Sequence, residues 1–114
     1  MRQGFTLVET IVALVLLQFA MLAFSGTIAI AARDFTLARH TAAADALARN
    51  RVALLRANPC VAPGTETTAL GPMRERWRVE SKGSLRLITD SVDFVRPGGR
   101  RGVAVARAIT WCSP

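Results

Sequence analysis

The first third of the chain carries one long apolar pattern. From Ile11 to Ala32 the run is broken only by Gln18, Ser25, Gly26 and Thr27. A helix built from this stretch is apolar on every side and reaches about 33 Å at 1.5 Å per residue. A bilayer core is about 30 Å thick, whereas the apolar part of a secretory signal usually has only about 7–15 residues. The pattern therefore predicts a helix that crosses a membrane once.

Beyond Ala32 the apolar positions narrow to one side of a helix. Residues at spacings of three or four mark that side: Leu37, Thr41, Ala44, Ala48, Val52 and Leu55. No Pro or Gly interrupts the segment, and Asn58-Pro59 supplies a helix stop. We therefore predict one continuous helix from about Phe5 to Ala57. Two helices with a hinge at Gly26 or near Ala32 are the alternative.

The remainder of the chain shows the period-two pattern of short strands. After a loop over residues 59–73, rich in Pro, Gly and Thr, we predict strands over residues 76–80, 84–89, 91–95 and 103–111. On the last strand Val103, Val105, Ile109 and Trp111 share one face, and we expect this face to be buried against the helix. The predicted fold class is α+β. A long N-terminal helix, with a membrane half and an amphipathic half, packs on a small antiparallel sheet of about four strands.

Two cysteines bracket the predicted sheet. Only 82 residues follow residue 32, and domains this small often need a covalent link. Cys60 and Cys112 are suited to it, since a disulfide closing a loop of about 50 residues adds roughly 4 kcal/mol to stability. Two free buried thiols are the alternative, and zinc is disfavoured because His40 is the only histidine and no CxxC pair is present. A disulfide implies an oxidising compartment outside the cytoplasm.

The charge balance adds a second candidate site. The chain has a net charge of +7, and the Gly99-Arg100-Arg101-Gly102 tip can present two guanidinium groups to phosphates. An Arg-rich composition without a binding role is one alternative. Charge complementarity toward a more acidic partner subunit is another.

The sequence offers little for catalysis. His40 stands alone on an Arg- and Ala-rich helix and is interpreted as a solvated side chain. Asp90 and Asp93 supply too few oxygens for calcium, which takes six or more, and a turn or strand-surface role is favoured for them. We expect no enzymatic activity, no cofactor and no metal site.

One carboxylate, that of Glu9, lies at the start of the apolar helix. An ionised side chain in hydrocarbon costs roughly 3 kcal/mol, so an acid in this place is a functional hypothesis that calls for a partner, best an amine. Small residues along the helix, namely Ala13, Ala20, Ala23 and Gly26, allow a second helix to approach closely. A simple membrane anchor is the alternative, but such an anchor has no use for the acid.

These residues carry a resemblance to a known family. Gly4-Phe5-Thr6-Leu7-Val8-Glu9-Thr10, followed by about 22 mostly apolar residues, is similar to the class III leader and N-terminal helix of type IV pilins and type II secretion pseudopilins. The resemblance implies that a prepilin peptidase cuts after Gly4 and methylates Phe5. It also implies that Glu9 neutralises the amino terminus of a neighbouring subunit. It covers residues 1–58, and Gly26 occupies the place where many major pilins have a proline.

The resemblance implies an organisation and a function. Residues 1–4 are a cleaved leader, 5–32 a transmembrane or filament-core helix, 33–58 its amphipathic half, and 59–114 a loop and small sheet domain. The implied function is that of a structural minor pilin or pseudopilin, which we favour for type II protein secretion. The alternatives are a DNA-binding minor pilin of a type IV pilus or competence system, and a membrane-anchored enzyme, which has the least support.

The partners and the location follow from the same resemblance. The partners are other pilin or pseudopilin subunits, the prepilin peptidase, an inner-membrane assembly platform and membrane lipid, and nucleic acid joins them only under the DNA-binding alternative. The implied location is the bacterial inner membrane. The protein crosses it once, with the C-terminal domain in the periplasm, and enters a filament after processing. This orientation also agrees with the expected disulfide.

Overall fold

The computed structural model describes residues 4–113, so Met1–Gln3 of the expected leader lie outside the described part. The elements are helix α1 (Leu7–Ala57) and strands β1 (Gly64–Leu70), β2 (Met73–Lys82), β3 (Leu85–Val95) and β4 (Arg101–Trp111). The strands form one antiparallel sheet in the order β1-β2-β3-β4. The predicted α+β class, the single long helix and the four-stranded antiparallel sheet are confirmed. The chain divides into two compact units between Phe35 and Thr36.

The first unit holds the apolar part of α1. This helix is long and apolar enough to cross a membrane, and none of its most apolar stretch is buried within the chain. Gln18 and the other polar residues in this stretch do not break the helix.

The second unit holds the sheet and the part of α1 that packs on it. Ala44, Ala48 and Val52 are the buried residues of α1, and Leu55 packs beside them. The predicted amphipathic stripe is thus confirmed from Ala44 onward, because these positions are spaced by three or four residues and share one side of the helix. At its N-terminal end the stripe is weaker, since Thr41 is exposed.

Strand β3 supplies the bulk of the core. Ile88 and Val92 are fully buried, and Phe94 is nearly so. These side chains alternate along the strand and therefore point to the same face, toward α1. The core consists of two clusters. Val92 and Phe94 pack with Ala44 and Ala48 in one, and Ile88 packs with Val52 in the other.

Our prediction for the buried face of β4 is wrong. Ala104, Ala106 and Ala108 pack into the two core clusters, whereas the four large residues are exposed by 50–68%, namely Val103, Val105, Ile109 and Trp111. The register explains the difference, because Ala104 and Ala108 lie opposite Val92 and Ile88 of β3, and opposite residues share a face. Small residues on β4 and on α1 fit a core that β3 already fills.

Two predicted boundaries are also wrong. Residues 64–70, assigned to a loop, form β1, where a run of threonines offers β-branched side chains that outweigh the flanking Pro and Gly. The predicted strands 84–89 and 91–95 are one strand, β3, which passes through Asp90 without a break. The Lys82-Gly83 turn is confirmed, with Gly83 at φ 62°, where glycine is favoured.

A disulfide joins the segment after α1 to the end of β4. Cys60 and Cys112 are bonded, with their Cα atoms 4.8 Å apart and a sequence separation of 52. The predicted pairing is confirmed. A hydrogen bond to the turn before β3 adds to this link, since the Cys112 N–H donates to the Ser84 carbonyl at 2.8 Å.

Candidate functional site

The Gly4–Thr10 motif forms the start of α1. Thr6 precedes the first helical residue, Leu7, and its Oγ1 accepts a hydrogen bond from the Glu9 N–H at 3.3 Å. Thr-x-x-Glu is the sequence pattern of a capping box. In a capping box the hydroxyl and the carboxylate each accept a hydrogen bond from a backbone N–H group that has no partner in the helix. Glu9 also lies in the first turn, where a negative charge is favoured by the helix dipole. The motif therefore has a local role in starting the helix.

Glu9 is exposed and follows apolar residues that are exposed as well. Phe5, Leu7 and Val8 are 80%, 76% and 69% exposed. Within residues 4–113 the Glu9 carboxylate forms no ion pair. A carboxylate so placed can take a cation from outside the chain, and in hydrocarbon it would require one.

The apolar surface of α1 continues from this carboxylate through the first unit. Its large side chains are all more than 40% exposed: Ile11, Val12, Leu14, Val15, Leu16, Leu17, Phe19, Met21, Leu22, Phe24, Ile28, Ile30 and Phe35. A continuous apolar surface of this extent marks contact with a membrane or with other protein. Gly26 has nothing within 4 Å of where its side chain would be, so another backbone has room to approach there.

Two polar interruptions of this surface, Ser25 and Thr27, form hydrogen bonds within the helix. The Ser25 hydroxyl donates to the Met21 carbonyl at 2.9 Å, and the Thr27 hydroxyl donates to the Phe24 carbonyl at 2.8 Å. Hydroxyl groups bonded to their own helix do not need water. Ser25 and Thr27 are therefore compatible with an apolar environment. An ionised Glu9 is compatible with it only when a cation pairs with the carboxylate.

The second unit contains a buried charge cluster that our sequence reasoning missed. Arg51 of α1 donates from Nε and Nη2 to the two oxygens of Glu75 on β2, both at 3.0 Å. Glu75 is fully buried, and the Arg51 guanidinium lies 4.2 Å from the centre of the Trp77 ring. The hydrogen bonds that Arg51 donates to Glu75 raise the pKa of Arg51. The pair and the ring join α1 to β2.

Asp90 of β3 lies in the same cluster and is fully buried. Neither of its carboxylate oxygens has a hydrogen-bond partner within the described chain. Loss of hydration, followed by repulsion from Glu75, raises the pKa of Asp90 to about 7. Once protonated, Asp90 can share its proton with Glu75, which favours the neutral form further.

A sequence signal for this cluster exists in the period-two pattern. Glu75 alternates with Trp77 and Val79, and Asp90 stands between Ile88 and Val92. Each acid occupies an inward position of its strand, where a polar residue requires a partner. Arg51 gives no such signal, because it is one of several arginines on α1.

Asp90 and Asp93 do not form the calcium pair considered above. Three residues apart on β3, they point to opposite faces of the sheet, and only Asp90 is buried. Within residues 4–113 no group of three or more His, Cys, Asp or Glu side chains is placed to hold a metal ion. His40 is half-buried on α1.

The Arg100-Arg101 tip is ordered by a tight turn. The Arg96 N–H donates to the Arg100 carbonyl at 2.7 Å, and the Gly99 N–H donates to the Arg96 carbonyl at 3.0 Å. Both tip arginines are exposed. Arg101 lines a small groove of about 150 Å³ together with Arg74. Arg74, and not Arg100, is therefore the cation that shares this groove with Arg101, and the acid Asp93 lines it too.

The predicted site residues thus fall into three separate places: Gly4, Phe5 and Glu9 at the start of α1, Cys60 with Cys112 in the disulfide, and Arg100 with Arg101 at the tip before β4. No protein-family model, no curated protein and no solved structure matches the chain.

Proposed function

We propose that this chain is a structural minor subunit of a pilin-like filament, acting in type II protein secretion. Residues 5–32 anchor it in the bacterial inner membrane, a prepilin peptidase cuts after Gly4, and the subunit then leaves the bilayer for the filament. The observation that carries the proposal is the exposed apolar helix that begins beside the Glu9 carboxylate, which forms no ion pair within residues 4–113.

The transfer from lipid to filament is physically plausible for this helix. In a bilayer the apolar side chains contact lipid tails, and in a filament they contact the helices of other subunits. Both surroundings are apolar, so the hydrophobic free energy changes little as long as contacts with other helices replace the contacts with lipid. The small residue Gly26 lets neighbouring helices approach closely enough for packing to replace lipid.

Glu9 gives this packing its register. After cleavage, Phe5 carries an amine, and a neighbouring subunit can place that amine against the Glu9 carboxylate. Removing one partner from a buried ion pair costs about 3–5 kcal/mol. Subunits that stack out of register would incur such a penalty, whereas subunits in register would not.

The test separates charge pairing from helix capping at Glu9. Glu9→Gln keeps a side chain that suits a capping box but removes the charge. Expressed in the native host, this variant should enter the membrane and lose its leader, as shown by fractionation and by mass spectrometry of the N-terminus. Its recovery in sheared filaments should fall at least about tenfold, as expected for a lost buried pair.

Two further variants complete this experiment. Glu66→Gln removes an exposed acid from β1 and should assemble normally. Gly4→Val should remain unprocessed and stay in the membrane. Normal incorporation of Glu9→Gln into filaments would contradict the role given to Glu9, and an intact leader on the parental chain would contradict the proposal as a whole.

A DNA-binding minor pilin is the second candidate function. The supporting observation is that exposed Arg101 shares a groove with Arg74, next to exposed Arg100. In a gel shift with duplex DNA and the full chain in neutral detergent, Arg100→Ala/Arg101→Ala should weaken binding and reduce its salt dependence. Arg49→Ala, which removes an arginine paired with Asp45, is the matched control. Equal binding by both variants would exclude the tip as the DNA site.

A further inference from the structure

The sheet has a second face that the core does not use. The register places the even-numbered residues of β2 (74–82) and the odd-numbered residues of β3 (85–95) and β4 (101–111) on the side away from α1. We call this side the outer face. Strand β4 forms one edge of the sheet, so the outer face ends at a free strand edge.

Along β4 the outer face is mostly apolar. Val103, Val105, Ile109 and Trp111 are exposed by 55%, 50%, 61% and 68%. Leu87 lies opposite Ile109 on β3 and widens the apolar surface. Exposed edge strands are usually protected by prolines or by several charged side chains. Strand β4 has no proline, and Arg107 alone interrupts its apolar row.

Beside this row the outer face is basic. An open groove of about 530 Å³ crosses the strands and is lined by Arg76, Arg78 and Arg107. Glu80 lines the same groove, and its carboxylate lies 3.6 Å from Nη1 of Arg78. Within residues 4–113 the side chains of Arg76 and Arg107 form no ion pair. The groove therefore presents two unpaired guanidinium groups next to aliphatic side chains.

We propose that the outer face docks an acidic protein whose surface combines carboxylates with apolar side chains. The carboxylates would pair with Arg76 and Arg107 in the groove, and the apolar side chains would cover Ile109 and its neighbours on β4. This docking concerns the sheet alone. It holds whether or not the helix assembles into a filament.

Charge decides against a second copy of the chain as the occupant. The outer face carries six basic side chains against two acids: Arg74, Arg76, Arg78, Lys82, Arg101 and Arg107 against Glu80 and Asp93. In a two-fold dimer the same face would meet itself, and like charges placed together across an interface cost several kcal/mol. A heterologous acidic partner removes this repulsion.

The apolar row decides against nucleic acid. Phosphates would suit the arginines, but most contacts of proteins to DNA go to phosphate and sugar. The aliphatic side chains of Val103, Val105 and Ile109 have no hydrogen-bond donor for phosphate or sugar. A protein surface matches both features of the outer face, because protein interfaces combine an apolar centre with charged partners at the rim.

Photo-crosslinking tests this proposal on the full chain in its native host. A benzoylphenylalanine at position 109 reports contacts of the outer face, and the same group at Leu54 is the control, since Leu54 is 59% exposed on α1. We expect a discrete polypeptide adduct from position 109 that is absent from position 54. Mass spectrometry should find Asp or Glu beside apolar residues in the crosslinked peptide.

Charge variants make the result specific. Arg107→Glu and Arg76→Glu should each reduce adduct yield at least about tenfold through like-charge repulsion, whereas Arg107→Lys should retain most of it. Both arginines are exposed, so thermal unfolding and the oxidised state of the cysteines should stay parental. If Arg107→Glu fails to fold, the adduct yield of Arg76→Glu alone tests the proposal.

Four outcomes would overturn the proposal. They are an adduct with a second copy of this chain, an adduct with nucleic acid, the absence of any polypeptide adduct, and an adduct that persists undiminished in a folded charge-reversal variant.

Discussion

Arg51 donates two hydrogen bonds, each 3.0 Å long, to the fully buried carboxylate of Glu75. The pair joins α1 to β2, and the Trp77 ring supports the guanidinium at 4.2 Å. Arg51 is half-buried, whereas Glu75 is fully buried, so the carboxylate depends on the guanidinium as its counter-charge.

Removing the Arg51 guanidinium should therefore destabilise the fold strongly. We expect Arg51→Met to lower the free energy of unfolding by about 3–5 kcal/mol, because Glu75 would remain buried without a counter-charge. Urea unfolding in neutral detergent measures the loss. Arg49→Met is the matched control, since Arg49 pairs with Asp45 on the exposed side of α1, and pairs of that kind contribute about 0.5 kcal/mol. Equal effects of the two variants would contradict the importance of the buried pair.

Asp90 should make stability depend on pH in an unusual direction. Burial and the nearby Glu75 raise its pKa from 3.8 to about 7, so between these values the folded chain binds a proton that the unfolded chain has lost. The Asp90 contribution is then fully present below about pH 4 and decreases as the pH rises through 7. Arg51 opposes the shift but does not cancel it.

The isosteric variant Asp90→Asn isolates this contribution. Its stability relative to the parental chain should increase by about 1–3 kcal/mol between pH 4 and pH 8, because each pKa unit corresponds to about 1.4 kcal/mol and residual water weakens the effect. Asp93→Asn, on the outer face of the same strand, is the control and should show no comparable change. A pH-independent difference for Asp90→Asn would mean that Asp90 is charged in the folded state.

The sequence predicts the helix and the disulfide well for physical reasons. In a 51-residue helix the apolar and amphipathic patterns extend over many turns. The predicted stop at Asn58-Pro59 agrees with the end of the helix at Ala57. Cys60 and Cys112 are the only cysteines in the chain, so a pairing within the chain has no competing partner. Local rules of this kind need no knowledge of the sheet register.

The face of β4 could not be predicted in this way. Both of its faces are apolar, one through Val103, Val105 and Ile109 and the other through alanines, so hydrophobicity alone favours the larger set. What decides is tertiary packing, because Ala44 and Ala48 of α1 lie in one cluster with Ala104 and Ala106 of β4 and with Phe94 of β3. The Arg51–Glu75 pair depends on the same tertiary packing, and nothing local to either residue specifies it.

Close packing at Gly102 should limit the size of the side chain that position 102 can hold. Gly102 is buried opposite Phe94, and an added Cβ would lie 2.6 Å from the Phe94 ring. We expect Gly102→Ala to lower the free energy of unfolding by about 1–3 kcal/mol through overpacking. Gly64→Ala is the control, because nothing lies within 4 Å of its added Cβ. The double variant Gly102→Ala/Phe94→Leu should recover part of the loss, and tolerance of Gly102→Ala would contradict the contact.

The disulfide should account for much of the stability of the sheet domain. Cys60 and Cys112 are 52 residues apart, and a crosslink over that span stabilises by roughly 4 kcal/mol by restricting the unfolded chain. Cys60→Ser/Cys112→Ser should lower the free energy of unfolding by about this amount. Dithiothreitol should shift the urea midpoint of the parental chain in the same direction and leave that of the double variant unchanged. A midpoint that responds equally in both would show that the reductant acts elsewhere, and no response in the parental chain would show that the bond contributes little to stability.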